Sequence, residues 1–543
     1  MSTFTWRNAA DCHRRFLDVN LPPTAGFIYC SNNNMVPSFQ GSNTGSIFGY
    51  DSYRSSQDVI VVGDEASGQY ILAGAVTAHR SLTFLTAVRR GRLIGIEMFQ
   101  PDIKPGMEPE RVVILEGSDY RELLVEYAGI AAKEMHARKA DVSENLCGYC
   151  SWYYYYAGVT EDNLMENLRA LSGKRDSFPA RVVQIDDGYQ TFQGDWLDQR
   201  DAWPTPLSEI AARISAAGFV PGIWTMPLLA STASRVFRDH RDWFVKRSDG
   251  EPFIFPGWSP PPDHEWVCLD ATQPAVKDHL HHVFSTFRKW GFKYFKMDGL
   301  GFCMPEGRRF DAVATGVSAY REGLMAVREA APDAFLLGCG APFMPSTGII
   351  DGCRVSQDTA ARWDTSAWHR EYHKLPLNAE ECAASIDIRG AYHTTVGNWW
   401  MFDRWFRADP DVVIARQDRA EQTIGESRVS CTAGILTGVA ITSDNLGTIA
   451  EDRLALLARA AKLRLHSPRP ELWVSGGWPL AFTGTLDGRK AACLVNDTEE
   501  TVTYDLAALG LGDDCEELLH PLGRVGGSLT LPPHDAAVAA ERK

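Results

Sequence analysis

No stretch of the chain approaches the roughly 18 consecutive apolar residues of a membrane-spanning helix, which argues against a membrane-embedded protein. The N-terminus, Met1-Ser2-Thr3-Phe4-Thr5-Trp6-Arg7, lacks a basic stretch followed by an apolar one, so no secretory leader is expected. Positive charge is scarce: 54 Lys and Arg stand against 69 Asp and Glu, a net charge of −15. That balance argues against nucleic acid or any other polyanion as a partner. Cysteine occurs 12 times but without a framework. Cys147-Gly148-Tyr149-Cys150 is the one C-x-x-C, and neither a second such pair nor a His pair at zinc spacing accompanies it. No metal site is therefore expected, and free thiols point to a reducing, cytoplasmic setting. Internal repeats, low-complexity linkers and runs of like charge are missing too.

What is present is ordinary for a globular protein: 45% hydrophobic and 23% charged residues over 543 positions. Sixteen Trp and 17 Tyr supply flat amphipathic faces, which suit either a sugar or a core. Residues 1–140 carry short apolar runs, Val59-Ile60-Val61-Val62, Tyr70 to Gly74, Leu93 to Glu97 and Val112 to Leu115, punctuated by Gly, Asp, Ser and Pro. They predict an N-terminal β-sandwich. Tyr120 to Met135 reads as a helix. From 141 to 467 strand-like runs alternate with helical patterns. Expected strands end near Trp152, Asp187, Met226, Asp298, Cys339, Asp358, Met401 and Asp444. Eight such strands predict a central (β/α)8 TIM barrel, with Pro252 to Pro262 as an inserted loop over its mouth. Residues 468–543 return to a β pattern, from Trp473-Val474 to Ala536-Ala537-Val538-Ala539, and predict a C-terminal β-sandwich.

The carboxylates fall where the expected barrel strands end. Tyr294-Phe295-Lys296-Met297-Asp298-Gly299-Leu300 follows an amphipathic segment, Pro274 to Trp290, with Val276, Leu280, Val283, Phe284 and Phe287 at helical spacing. Asp298 either caps a turn or is a catalytic carboxylate at the barrel mouth. Lys296 shares its strand face, and a cation there keeps a carboxylate ionised. Val182 to Ile185 closes on the adjacent acids Asp186 and Asp187. Gly352 to Asp358 ends another strand, and Arg354 and Asp358 have matching parity. From strands four and six, Asp298 and Asp358 come within reach of the roughly 5–5.5 Å of a retaining glycosidase pair.

Taken together these stretches resemble the α-galactosidases of glycoside hydrolase family 36, in the clan shared with family 27 and near the raffinose-synthase-like proteins. The resemblance covers nearly the whole chain and is strongest from Cys147 to Leu446. Gly148-Tyr149-Cys150-Ser151-Trp152 is similar to the family's opening motif, which implies a sugar-pocket role for Trp152. Asp186-Asp187-Gly188-Tyr189 resembles Asp-Asp-Gly-Trp, whose acids hold the galactose 4- and 6-hydroxyls. Gly194-Asp195-Trp196 and Gly222-Ile223-Trp224 match wall motifs. Lys296-x-Asp298 matches the nucleophile strand, Cys339-Gly340 the Cys and Gly near the 2-hydroxyl, and Arg354-x-x-x-Asp358 the Arg and the acid/base. Asp409-Pro410-Asp411 and Ser443-Asp444 resemble late landmarks, structural apart from a substrate contact assigned to Asp444.

Several positions depart from the pattern. Phe-Glu-Pro-Glu becomes Thr225-Met226-Pro227-Leu228, Tyr189 replaces Trp, and a Cys-Ser-Gly-Gly-Gly run is reduced to Cys339-Gly340-Ala341-Pro342. The resemblance implies a retaining hydrolase of terminal α-galactosides with no cofactor, a small carbohydrate as partner and a homo-oligomeric state. Other α-glycosides as substrate (an α-N-acetylgalactosaminide or an α-glucoside) and transglycosylation are alternatives with the same chemistry. A non-catalytic carbohydrate-binding protein on a decayed barrel is the rival of another class.

Overall fold

The computed structural model describes residues 53–542, apart from short internal stretches of which 365–385 is the longest, together with the strands Arg7–Asn8, Arg14–Val19 and Gly26–Cys30. Among the described residues one sheet holds eight parallel strands in chain order. They are β1 Leu146–Cys150, β2 Val182–Ile185, β3 Val220–Thr225, β4 Tyr294–Met297, β5 Phe335–Gly338, β6 Gly352–Arg354, β7 Arg407–Asp409 and β8 Val439–Thr442. β1 also pairs with β8, and beyond β7 the parallel bridge of Val413 to Thr442 draws the last two edges together. The result is a nearly closed (β/α)8 barrel.

Side-chain alternation explains why these runs form barrel strands. Val183, Ile185, Ile223, Phe295, Met297, Leu336 and Cys353 point outward into the layer shared with the helices. Val182, Tyr294, Leu337, Val439 and Ile441 point inward and pack as a separate cluster. Gly222 leaves space for that filling, since a Cβ there would lie 2.9 Å from the Tyr294 ring. The same parity carries polar side chains inward at the C-terminal ends: Cys150, Gln184, Trp224, Lys296, Arg354 and Asp409.

Helices α1 Tyr120–Glu134, α2 Glu161–Ser172, α3 Leu207–Ala216, α4 Pro274–Trp290, α5 Gly316–Ala330, α6 Ile388–Gly397, α7 Ile424–Thr437 and α8 Glu451–Ala460 pack along and beside the barrel. α4 begins with Pro in its first turn and stops at left-handed Gly291, so its limits match the sequence expectation. Val276, Leu280, Val283, Phe284 and Phe287 are its buried face.

Two expectations are corrected. The apolar run ending at Met401 is a short 3-10 helix, Trp399–Met401, and the seventh strand is Arg407–Asp409. Within Pro252 to Pro262, Ile254–Pro256 is a strand that pairs with Glu265–Cys268, which in turn pairs with Leu229–Ser231. Residues 258–261 of that insertion, and Val474 of the expected C-terminal strand, lie outside the described residues.

Flanking the barrel are antiparallel sheets. On the N-terminal side a five-stranded and a four-stranded sheet enclose Leu17, Ile60, Val62, Ile71, Leu85, Ile94 and Ile96. On the C-terminal side a six-stranded and a two-stranded sheet enclose Leu494, Tyr504, Leu506, Leu529 and Leu531. No helix among the described residues is long and apolar enough to cross a membrane.

Candidate active site

Asp298 follows β4 directly and remains partly accessible. The Trp224 indole N–H of β3 donates to its Oδ2 at 3.0 Å, and the Gly299 N–H donates to Oδ1 at 2.7 Å. Gly299 takes a left-handed φ of 64°, and a Cβ there would come 2.9 Å from Leu229 and 3.1 Å from the Met226 sulfur. Only glycine turns the chain so closely under the carboxylate. Burial pushes the Asp298 carboxyl up, but the Lys296 charge, the Trp224 N–H, the Cys339 thiol and the Gly299 N–H outweigh it and hold it below the usual carboxylate range. Asp298 is therefore an ionised carboxylate at neutral pH.

Lys296 acts differently from its simplest sequence reading. Its ammonium bonds Asp186 Oδ2 at 2.9 Å, and both side chains are buried, so Asp298 feels its field rather than a direct ion pair. Asp186 also accepts from Gln184 at 2.5 Å and from the Cys150 thiol at 3.3 Å, while its Oδ1 accepts the Asp187 N–H at 2.9 Å. Gln190 donates to Asp187 at 2.6 Å. The adjacent acids are thus compensated by the protein's own donors, not left for a ligand alone to satisfy.

Asp358 lies beyond β6 with its side chain about half exposed. Arg354, buried, donates to it at 2.7 Å. Cys339 lies just after β5. Its thiol bonds Asp298, burial pushes it well above the ordinary thiol range, and it lies in the field of Asp298, Asp358, Lys296 and Arg354. Three neighbouring strands, β4, β5 and β6, so bring the candidate nucleophile and the candidate acid within the field of one thiol.

The aromatic candidates differ in exposure. Trp196 and Trp224 are buried and meet edge to face with centroids 5.8 Å apart. Trp152 is partly exposed and packs edge to face on Tyr156. Tyr189, which stands where the family has Trp, is fully buried and donates its hydroxyl to the Trp224 carbonyl at 3.1 Å. Met226 and Leu228, which replace the family's two acids, are fully packed core residues.

Asp444 follows β8. It is fully buried, bonds Arg416 at 3.1 Å, and accepts the N–H groups of Ala415 and Arg416 at 2.8 and 3.0 Å. Its oxygens fasten the chain after β7 to the end of β8. Asp409-Pro410-Asp411, read from sequence as structural, lies beside Arg354. Arg354 reaches Asp411 at 2.9 Å and Asp409 at 3.7 Å, so both belong to the ionic cluster of the acid. Parity offered a signal: Arg354 and Asp409 are paired in register on adjacent strands, with inward side chains. Cys150 and Gln184 were missed as partners of Asp186, although they too sit in register on β1 and β2.

The melibiase family profile matches residues 164–301, which run from α2 through β4 and the Asp298 loop. Over 143 residues, a quarter of this chain, the sequence is 28% identical to the A type blood alpha-D-galactosamine galactosaminidase of Flavonifractor plautii. Over 184 residues, 32% of the chain, it is 24% identical to alpha-galactosidase AgaA of Geobacillus stearothermophilus. Those alignments span 13% and 24% of the relatives' own length. Among solved structures, the Thermus thermophilus alpha-galactosidase TtGalA, in complex with p-nitrophenyl alpha-D-galactopyranoside, superposes with a TM-score of 0.68 at 22% identity, covering 90% of this chain and 93% of that one. The family 36 enzyme AgaA superposes with a TM-score of 0.63 at 13% identity, covering 97% of this chain and 77% of that one. The chain is thus similar to the melibiases over residues 164–301, and over nearly its whole length it shares the fold of these alpha-galactosidase structures.

Proposed function

We propose that the chain is a retaining glycoside hydrolase that removes terminal α-galactosyl residues. Asp298 attacks the anomeric carbon and forms a glycosyl-enzyme intermediate. Asp358 protonates the leaving oxygen and then takes a proton from the water that releases the sugar. The observation that carries this reading is Asp298 itself: a partly accessible carboxylate at a barrel strand end, kept ionised against its burial. A binding protein has no need of a nucleophile so prepared. Asp186 and Asp187 hold ring hydroxyls, and Trp152, Trp196 and Trp224 wall the sugar.

A second substrate has one observation in its favour, the match to an enzyme named for galactosamine. Cys339-Gly340-Ala341 would then border the 2-substituent. A panel of nitrophenyl α-glycosides separates galactoside, N-acetylgalactosaminide and glucoside, and product analysis at high sugar concentration reads transglycosylation. The nine described cysteines are all free, which supports a reducing, cytoplasmic setting. A homo-oligomer is part of the same proposal and is read by light scattering.

The deciding experiment is substitution. Asp298→Ala and Asp358→Ala should stay folded and lose roughly four to six orders of magnitude in kcat on an aryl α-galactoside. Azide should restore turnover to the first with inversion at the anomeric carbon. Near-parental rates in both variants would remove the assignment.

A further inference from the structure

One guanidinium serves three carboxylates. Arg354 reaches Asp358 at 2.7 Å, Asp411 at 2.9 Å and Asp409 at 3.7 Å. Arg354, Asp409 and Asp411 are buried, and Asp358 alone of the four is exposed. Lys296, the other cation whose field reaches Asp409 and Asp411, is itself ion-paired with Asp186. Three buried or half-buried negative charges around one available positive charge are strongly disfavoured, so the group is most stable when it holds a proton. Asp411 is placed to share it. Its Oδ1 faces Arg354, and its Oδ2 accepts the Tyr153 hydroxyl and the Thr359 N–H, the latter at 3.0 Å. Burial first, then the charges of Asp358 and Asp409, outweigh Arg354 and Lys296 and push Asp411 up to about 7. Asp409 is raised by burial as well.

On the glycosidase reading above, we propose that Asp411 is a positioning residue that sets how much of the Arg354 charge Asp358 receives, and so which of the two carboxyls carries the shared proton. With Asp411 ionised, one arm of Arg354 is drawn away and Asp358 is repelled, so the proton resides on Asp358. From there it passes to the glycosidic oxygen, the leaving group departs as a neutral alcohol, and water returns the proton in the second step. With Asp411 neutral, the full guanidinium charge falls on Asp358, which is then held as a carboxylate and is a poor acid.

The test is Asp411→Asn, with kcat/KM followed against pH on two substrates: an activated nitrophenyl α-galactoside and methyl α-galactoside, whose leaving group needs a proton. The basic limb should move down by about one pH unit or more, the scale of a neighbouring charge removed. At pH 7 the loss on the methyl glycoside should exceed that on the nitrophenyl glycoside by roughly tenfold. Tyr153→Phe, which takes a donor from ionised Asp411, should move the limb the same way by less, and it keeps the test open if Asp411→Asn does not fold. Profiles superimposable on the parent's, with equal losses on both substrates, would overturn the role of Asp411. That result, beside Asp298→Ala and Asp358→Ala variants that are inactive, would leave the glycosidase reading standing. Active Asp298→Ala and Asp358→Ala variants would instead remove the reading itself.

Discussion

Trp224 joins three contacts in one residue. Its indole N–H bonds the candidate nucleophile, its ring meets Trp196, and its carbonyl receives the Tyr189 hydroxyl. The N–H is the separable part. Trp224→Phe keeps an aromatic ring on β3 and deletes the donor to Asp298. A hydrogen bond to a charged group is worth about 1.5–3 kcal/mol, so kcat/KM on an aryl α-galactoside should fall roughly 10- to 100-fold. Circular dichroism should be unchanged, and an unaltered rate would show that the Gly299 N–H and the Cys339 thiol suffice. At this scale the sequence was legible where a residue's role depends on its own strand. Parity placed Lys296 beside Asp298 and Arg354 beside Asp358, and the second of these is a direct ion pair. It was not legible where the partner lies on another strand. The ammonium of Lys296 is drawn to Asp186, 110 positions earlier, because strand order and stagger decide which inward side chains meet. For the same reason the sequence did not show that Asp411 meets Arg354 or that Asp444 meets Arg416.

Elements announced themselves in proportion to their period. α4 carries a long amphipathic pattern, Pro at its start and Gly291 at its end, and those three signals are local. β7 carries almost none. It is three residues long, Asp409 faces the ionic cluster, Arg407 donates to the Glu144 carbonyl, and Ala408 alone faces outward. The apolar run at Trp399–Met401 competes with it and belongs elsewhere, with Trp400 and Trp405 packed around Tyr127 of α1. Glycine use within elements gives a paired prediction. Gly222→Ala on β3 would put a Cβ 2.9 Å from the Tyr294 ring and 3.3 Å from the Gln184 backbone, inside a filled barrel. It should cost about 1–3 kcal/mol of stability. Gly129 sits in α1 with nothing within 4 Å of the added carbon, so Gly129→Ala should stabilise by about 0.5–1 kcal/mol. Denaturation midpoints moving in opposite directions would confirm both, and equal shifts would contradict the packing described for β3.

At the scale of the whole molecule, the buried acids fall into two sets with opposite consequences for pH. Asp58 in the N-terminal sheets, Asp102 beside the barrel loop at Glu306, Asp411 behind the candidate acid and Glu517 in the C-terminal sheets are each pushed up to about 7, burial being the largest cause in every case. A carboxyl whose folded value lies above its unfolded value binds its proton more tightly when folded. Stability therefore rises as pH falls through about 7 and levels off near the unfolded value of about 4. Asp298, Asp119 and Asp497 are held below the ordinary range, Asp497 by His393 and Arg389 against its burial. Their contribution is complete above the unfolded value and is lost as pH falls through the lower folded one. A chain of net charge −15 is also relieved of self-repulsion as the first set protonates. The two sets together place maximum stability between about pH 5 and 6, on the acid side of neutrality. Thermal unfolding followed from pH 4 to 9 at constant ionic strength should show the midpoint climbing from pH 8 to 6 and dropping below pH 4.5. A midpoint that is flat, or highest near pH 8, would mean that these four carboxyls are not buried as described. Asp411→Asn should flatten part of the climb, because it removes one of the four groups whose protonation drives it.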